Sequence, residues 1–234
     1  MSMNKTKIEW CDYTWSPVTG CKHGCPYCYA RKIAERFRGS KAWPQGFESM
    51  FHPDRLNDPR NMKKLQTIFV CSMADLFGEW VPREWIHCIF LACQQTPPHT
   101  YIFLTKNPAR IESLSVHSCF EDFMNRENAW FGTTVTGKGD IIDRLGPLIA
   151  SDLPNRFISF EPLLGDPGPL DLTGIKQVII GAQTNPDHYV GLEWVLNICE
   201  AADRAGAKVF MKDSLKGRWP DRELRRELAW GLHK

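Results

Sequence analysis

The sequence lacks any long apolar run and any strong excess of charge of one sign. A membrane-spanning helix needs about 20 consecutive apolar residues, and no stretch of that kind occurs. The first residues, MSMNKTKIEW, also lack the apolar region of a secretion signal. We therefore expect a cytoplasmic protein that is neither exported nor embedded in a membrane.

Internal repeats, low-complexity tracts and linker-like segments are absent as well. With 234 residues, of which 43% are hydrophobic, the chain can bury one sizeable core. This favours a single domain over residues 1–234. Within that domain, frequent Pro, Gly and Asp predict an irregular insertion near 40–66, and we expect a basic C-terminal helix near 220–231.

The net charge of +2 hides an uneven distribution along the chain. Residues 1–41 carry eight basic and three acidic side chains, and residues 208–234 carry eight and four. Residues 42–207 carry thirteen basic and twenty acidic side chains. A polyanionic partner would therefore meet the two ends of the chain, although solvated surface lysines and arginines explain the same pattern.

Short runs of β-branched and aromatic residues recur along the chain and predict buried strands. They cover 13–18, 67–71, 100–105, 130–136, 156–161, 177–181 and 208–211. Segments with helical spacing of apolar residues lie between them, for example Tyr29, Ile33 and Phe37. Such alternation predicts an α/β fold of about six or seven parallel βα units, arranged as a full or partial (β/α) barrel.

Three of the nine cysteines, Cys21, Cys25 and Cys28, fall in one short turn between the first predicted strand and the first predicted helix. A cubane iron-sulfur cluster takes one ligand per iron, so three thiolates leave one iron open to a non-protein ligand. The alternative is a zinc site that adds His23 or Cys11 to these thiols. However, no second well-spaced cysteine pair exists, and His23 lies very close in sequence to two of the thiols. The other six cysteines share no spacing and are interpreted as structural.

The Cys-x3-Cys-x2-Cys pattern, with the aromatic Tyr27 before its last cysteine, resembles the signature of the radical S-adenosylmethionine (SAM) superfamily. The segments TWSPVTGC, SMADLF, LTKNP and FEPLLG further resemble a little-characterised, often phage-encoded family of radical-SAM-like proteins. Members of that family often have a longer gap between the first two cysteines than this chain has. A more remote similarity, to the spore photoproduct lyase branch that repairs a thymine lesion in DNA, rests on Ser72, Asp75 and LTKNP.

The resemblance implies that Cys21, Cys25 and Cys28 hold a four-iron four-sulfur cluster and that SAM binds beside it. In a parallel barrel, polar residues at the C-terminal ends of strands gather at the mouth. The resemblance makes Tyr27 of the cysteine motif a candidate for contact with SAM. Positions that follow or end the predicted strands add Ser72, Asp75, Thr105, Thr134 and Glu161 as candidates for contact with SAM, and Lys106, Gln183 and Lys212 as candidates for contact with substrate. Each of these residues also has a structural alternative: it could cap a helix or form a turn, favour a strand, form an ion pair, or be a solvated surface side chain.

The function implied by the resemblance is radical chemistry. The reduced cluster would cleave SAM to a 5'-deoxyadenosyl radical that abstracts hydrogen from a substrate, and a protein such as flavodoxin or ferredoxin would supply the electron. The basic ends and the aromatic content favour a nucleic-acid base or nucleotide as substrate. A peptide or small metabolite is a second possibility. A non-catalytic, zinc-stabilised nucleic-acid-binding module is a third.

Overall fold

The computed structural model describes residues 3–219 and 223–231. The strands are β1 (Met3–Lys5), β2 (Tyr13–Trp15), β3 (Val18–Thr19), β4 (Met50–Phe51), β5 (Thr67–Val70), β6 (Thr100–Thr105), β7 (Ala129–Thr134), β8 (Arg156–Phe160), β9 (Gln177–Ile180) and β10 (Lys208–Met211). The α-helices are α1 (Tyr29–Arg36), α2 (Arg83–Gln94), α3 (Pro108–Ser115), α4 (Ser118–Met124), α5 (Gly146–Ala150) and α6 (Leu192–Ala205). Among these helices, none has both the length and the apolar character needed to cross a membrane.

Eight strands form one sheet in the order β1-β2-β5-β6-β7-β8-β9-β10. Strand β1 pairs antiparallel with β2, and every other neighbouring pair in this sheet is parallel. The strands β3 and β4 form a separate antiparallel pair. The predicted α/β class and the partial barrel of parallel βα units are therefore confirmed.

The two faces of the sheet bury different sets of residues, because side chains alternate along a strand. One face packs against the helices and forms the outer core, which includes Phe103, Phe131 and Ile158 together with Phe90 of α2. The opposite face forms the inner core, which contains no helical residue and consists of Trp10, Cys11, Ile102, Trp130, Phe157, Ile179, Phe210 and Trp230. These aromatic rings fill the interior of the partial barrel.

Helix boundaries follow local signals in the sequence. Cys28 precedes the first turn of α1 in an extended conformation, and its Sγ accepts a hydrogen bond from the Arg31 backbone N at 3.4 Å. Helix α6 ends at Gly206, which adopts a left-handed conformation with φ of 70°. The apolar spacing of Tyr29, Ile33 and Phe37 identifies α1 correctly, but these side chains are exposed, and the helix buries Ala30 and Ala34 instead.

The predicted basic helix near 220–231 is wrong for residues 223–231, while 220–222 lie outside the described part of the chain. Residues 225–227 run antiparallel to β10: the Met211 backbone N donates to the Arg225 O at 2.8 Å, and the Glu227 N donates to the Val209 O at 3.0 Å. The segment thus satisfies backbone groups at the edge of the sheet and carries Trp230 into the inner core. Tertiary pairing therefore outweighs local helical propensity here.

The predicted irregular segment, 40–66, contains β4 and two single 3-10 turns, Pro53–Arg55 and Pro59–Asn61. It packs Phe47 and Trp43 against Ala30 and Ala34 of α1 in a small separate core. This segment therefore supports the helix that follows the three cysteines.

Candidate cluster-binding site at the mouth of the barrel

The three cysteines lie on the loop between β3 and α1, where all three are free and half-buried. The loop begins with Gly20, whose φ of 84° is unfavourable for other residues, and a side chain there would collide with the Glu48 backbone. The Cys21 N donates to the Phe47 O at 3.3 Å, and the Arg31 guanidinium donates to the Cys21 O at 2.9 Å. The loop is therefore held from both sides by protein contacts.

Asp75 lies beside this loop, is buried, and accepts four hydrogen bonds. Its Oδ1 accepts from the Thr105 hydroxyl at 2.6 Å and from the Phe77 backbone N at 3.0 Å. Its Oδ2 is 2.7 Å from His23 Nε2 and accepts from the Lys106 backbone N at 2.8 Å. Because a carboxylate has about four acceptor positions, this side chain is saturated by protein donors.

Lys106 connects the end of β6 to the cysteine loop. Its Nζ is 3.0 Å from Cys25 Sγ and 2.5 Å from the Tyr27 hydroxyl, and it lies 4.5 Å from the centre of the Tyr27 ring. Burial disfavours the charged amine, but the hydrogen bonds to Cys25 and Tyr27 outweigh that effect and raise the pKa of Lys106. A permanent positive charge therefore lies against the loop.

Three thiols on one loop fit a cubane cluster, which takes one thiolate at each of three irons. A tetrahedral zinc site takes its ligands on one ion. Across 3–219 and 223–231, no group of three or more His, Cys, Asp or Glu side chains converges on a single point. Burial raises the pKa of the Cys21 thiol to about 12, so a metal must displace its proton to bind there.

The inner face of the sheet carries small and polar residues above the aromatic inner core. Strand register places Gly132 and Thr134 of β7 on this face beside Phe157 and Ser159 of β8. A side chain at Gly132 would meet the Phe157 ring. The buried Ser159 hydroxyl has no hydrogen-bond partner within the described residues. Buried hydroxyls nearly always form a hydrogen bond, so the Ser159 hydroxyl is available for a hydrogen bond with a bound group.

An ion pair between Lys212 and Glu161 lies at the mouth, where the two strands β10 and β8 end. Both side chains are about one-quarter or less exposed, at 20% and 26%. A side chain at Gly181 would lie 3.1 Å from Lys212 and 3.2 Å from Glu161, so the glycine leaves room for the pair. Glu161 therefore forms an ion pair, which is the structural alternative, and it also lies at the mouth, where the functional interpretation places it.

The structure brings together some of the predicted site residues and separates others. Tyr27, Asp75, Thr105 and Lys106 are joined to the cysteine loop by the contacts described above. Ser72 approaches it through its backbone O, which accepts from the Tyr29 hydroxyl at 3.2 Å. Gln183 is different, because its amide donates to the Pro186 O at 2.9 Å within its own loop. The assignment of each of these residues to SAM or to substrate stays a prediction.

Sequence reasoning missed two contributors to the site. Ser159 is not among the predicted site residues, although its position two residues before Glu161 places both side chains on one face. His23 entered only as an alternative zinc ligand, whereas its ring lies against Asp75 and 4.9 Å from the Trp80 ring in an edge-on arrangement. Its contact depends on a residue 52 positions away, which no local pattern reveals.

Residues 5–229 match the family described as "Protein of unknown function (DUF5131)". No curated protein is a significant match. Among solved structures, a doubly substituted spore photoproduct lyase with bound AdoMet and dinucleoside spore photoproduct is similar, at 11% identity and a TM-score of 0.58 over 90% of this chain and 79% of the other. A spore photoproduct lyase complexed with dinucleoside spore photoproduct has 11% identity and a TM-score of 0.55 over the same shares. These similarities establish a shared fold.

Proposed function

We propose that this chain, a member of the DUF5131 family, whose function is unknown, is a radical SAM enzyme. Cys21, Cys25 and Cys28 would hold a four-iron four-sulfur cluster. The observation that carries the proposal is the position of these three thiols on the loop between β3 and α1, which follows the first parallel strand, β2, of a partial barrel. Spore photoproduct lyase, a radical SAM enzyme, has a similar fold.

When bound, the cluster and SAM would supply the reactive 5'-deoxyadenosyl radical, and the chain would bind, orient and shield the reactants. Saturated by its four donors, Asp75 would hold His23 of the loop against the ends of β5 and β6. Its role would be to position the loop and Lys106. The charged Lys106 amine would then attract an anionic group at the mouth, such as the carboxylate of SAM or a substrate phosphate.

The inner face would hold the organic part of SAM and the substrate. Ser159 and Thr134 offer hydroxyls there, and Glu161 offers a carboxylate that suits ribose hydroxyls or an amine. Below them, the Trp130 and Phe157 rings of the inner core would exclude water from the reacting groups. Ser72 and Thr105 would support the loop, and Gln183 and Lys212 would contact substrate at the rim.

We infer that the substrate is a nucleic-acid base or nucleotide. The support is the similarity to structures of spore photoproduct lyase with a dinucleoside lesion, together with the basic residues in 1–41 and 208–234. A cytoplasmic location and an electron donor such as flavodoxin or ferredoxin belong to the same proposal. The phage association implied by the sequence resemblance stays a prediction of that resemblance.

Metal analysis and a SAM-cleavage assay test the proposed class together. The chain would be purified without oxygen and analysed for iron and zinc. It would then be incubated with SAM and dithionite while 5'-deoxyadenosine is measured by chromatography. We expect about four irons per chain and the appearance of 5'-deoxyadenosine. One zinc per chain and no cleavage would instead support the non-catalytic binding module.

Glu161→Gln should separate cluster binding from SAM cleavage. We expect the iron content to stay unchanged, because Glu161 is not a ligand, and the rate of 5'-deoxyadenosine formation to fall about tenfold, or about 1.4 kcal/mol in barrier. The cause would be loss of the carboxylate and of its ion pair with Lys212. Glu200→Gln, on the exposed side of α6, is the matched control. Equal rates for both variants would remove Glu161 from the site.

A further inference from the structure

Helix α1 exposes a continuous apolar stripe beside the cysteine loop. Tyr29, Ile33 and Phe37, the residue that caps the C-terminus of α1, are spaced four residues apart and are 55%, 41% and 51% exposed. The Tyr29 hydroxyl donates to the Ser72 O, so Tyr29 is the end of the stripe that is fixed at the cysteine loop, and Ile33 and Phe37 are its free part. Residues with this spacing lie on one face of a helix. Ile33 and Phe37 are part of neither the outer core, the inner core nor the small core that packs on Ala30 and Ala34. This α1 stripe is therefore an apolar surface available to a partner.

Basic side chains border the α1 stripe on one side. At 100° per residue, Lys32 and Arg36 fall directly beside Tyr29 and Ile33 on the helix surface, and both are exposed. Neither forms an ion pair with any other described residue. The acidic residue of this helix, Glu35, is already paired with Arg38. The surface is thus apolar at its centre and positively charged at its edge.

This surface is joined to the three thiols by the helix itself. Cys28 caps the N-terminus of α1 and Tyr29 is its first residue, so one end of the stripe adjoins the cysteine loop. The proposed chemistry requires an electron from outside the chain, and that electron must reach a cluster for which Cys28 is one of the three proposed ligands. An electron donor bound to the α1 stripe would meet this requirement.

We propose, on the basis of the function proposed above, that the α1 stripe with Lys32 and Arg36 is the docking surface for an acidic protein electron donor. The reduced flavin or iron-sulfur group of the donor would give up one electron and be oxidised, and the cluster held by the three thiols would be reduced by that one electron. Redox complexes of this kind use small interfaces, below about 1,200 Å², which a helix face with a few aromatic anchors can supply.

An acidic protein fits this surface better than a nucleic-acid substrate does. A substrate must reach the inner face of the sheet, where Ser159 and Glu161 lie, whereas Ile33 and Phe37 are separate from the inner core. The aliphatic Ile33 at the centre of the stripe also cannot stack on bases as an aromatic ring does. An apolar centre with a charged rim is the usual arrangement of protein interfaces.

Charge reversal tests the proposal. The variant Lys32→Glu/Arg36→Glu would be reconstituted with iron and sulfide and mixed with a purified acidic flavodoxin in its reduced form. The rate at which the visible absorbance of the cluster bleaches would be followed at increasing salt. We expect about a tenfold slower reduction by flavodoxin at low salt and loss of its salt dependence. Reduction by dithionite should be unchanged. The matched control is Lys63→Glu/Lys64→Glu, which reverses two exposed charges ahead of β5.

A second variant, Ile33→Ser, removes the centre of the stripe without changing charge. It should also slow reduction by flavodoxin while leaving reduction by dithionite intact. Equal rates with flavodoxin for the wild type and both variants would overturn the proposal. Weaker binding of a labelled oligonucleotide by the charge-reversal variant, with unchanged reduction by flavodoxin, would overturn it in favour of a nucleic-acid surface. Absence of any cluster would instead refute the proposed function itself.

Discussion

Cys25→Ala is expected to eliminate both iron binding and SAM cleavage. Removing one of the three thiolates leaves one iron without its protein ligand, and the proposed site has no fourth cysteine to replace it. We expect iron to fall from about four per chain to near zero, and 5'-deoxyadenosine to become undetectable with dithionite. Lys106 would also lose its contact with the Cys25 Sγ.

The control for this variant is Cys119→Ala, because Cys119 is an exposed thiol at the start of α4. It should keep its iron and its rate of cleavage. If Cys25→Ala retained the iron content of the wild type, Cys25 would not be a ligand, and the proposed function would lose its central support.

Asp75→Asn is expected to destabilise the fold strongly, although it only replaces one carboxylate oxygen with an NH2 group. The carboxylate accepts from Thr105, Phe77 and Lys106 and contacts His23. An amide can accept at only one of its two ends, so its NH2 group would face donors that then have no acceptor. Leaving buried donors unsatisfied costs about 3 kcal/mol in the free energy of unfolding, which urea denaturation would measure.

Asp143→Asn provides the comparison, since Asp143 is exposed in the π-helical turn Ile141–Leu145. Its effect should stay within about 0.5 kcal/mol. A loss of stability for Asp75→Asn as small as that of the control would mean that the four contacts contribute little. In the proposed enzyme, Asp75→Asn should also reduce iron incorporation, because His23 and Lys106 would no longer fix the loop.

The barrel was predictable because its strands are buried on both faces. Runs of β-branched and apolar residues such as 100–105 and 208–211 match β6 and β10 residue for residue. Both faces of these strands must be hydrophobic, one for the outer core and one for the inner core. Polar residues at the ends of such runs, such as Lys106 and Glu161, lie at the mouth because the C-terminal ends of parallel strands gather there.

Long-range contacts account for what the sequence did not reveal. The segment 223–231 is predicted to be helical, yet it pairs with β10 and buries Trp230, whose indole N donates to the Trp10 O at 3.0 Å. Saturation of Asp75 likewise depends on three separate parts of the chain. Local periodicity carries no information about such partners.

The contacts that hold the cysteine loop run between protein groups: Gly20 packs against Glu48, Arg31 donates to the Cys21 O, and His23 contacts Asp75. In zinc fingers, by contrast, the free energy of metal binding is also the free energy of folding, so a chelator unfolds them. In the proposed enzyme, contacts of this kind would let the chain fold without its cluster. A cluster lost to oxygen would then be replaced without refolding.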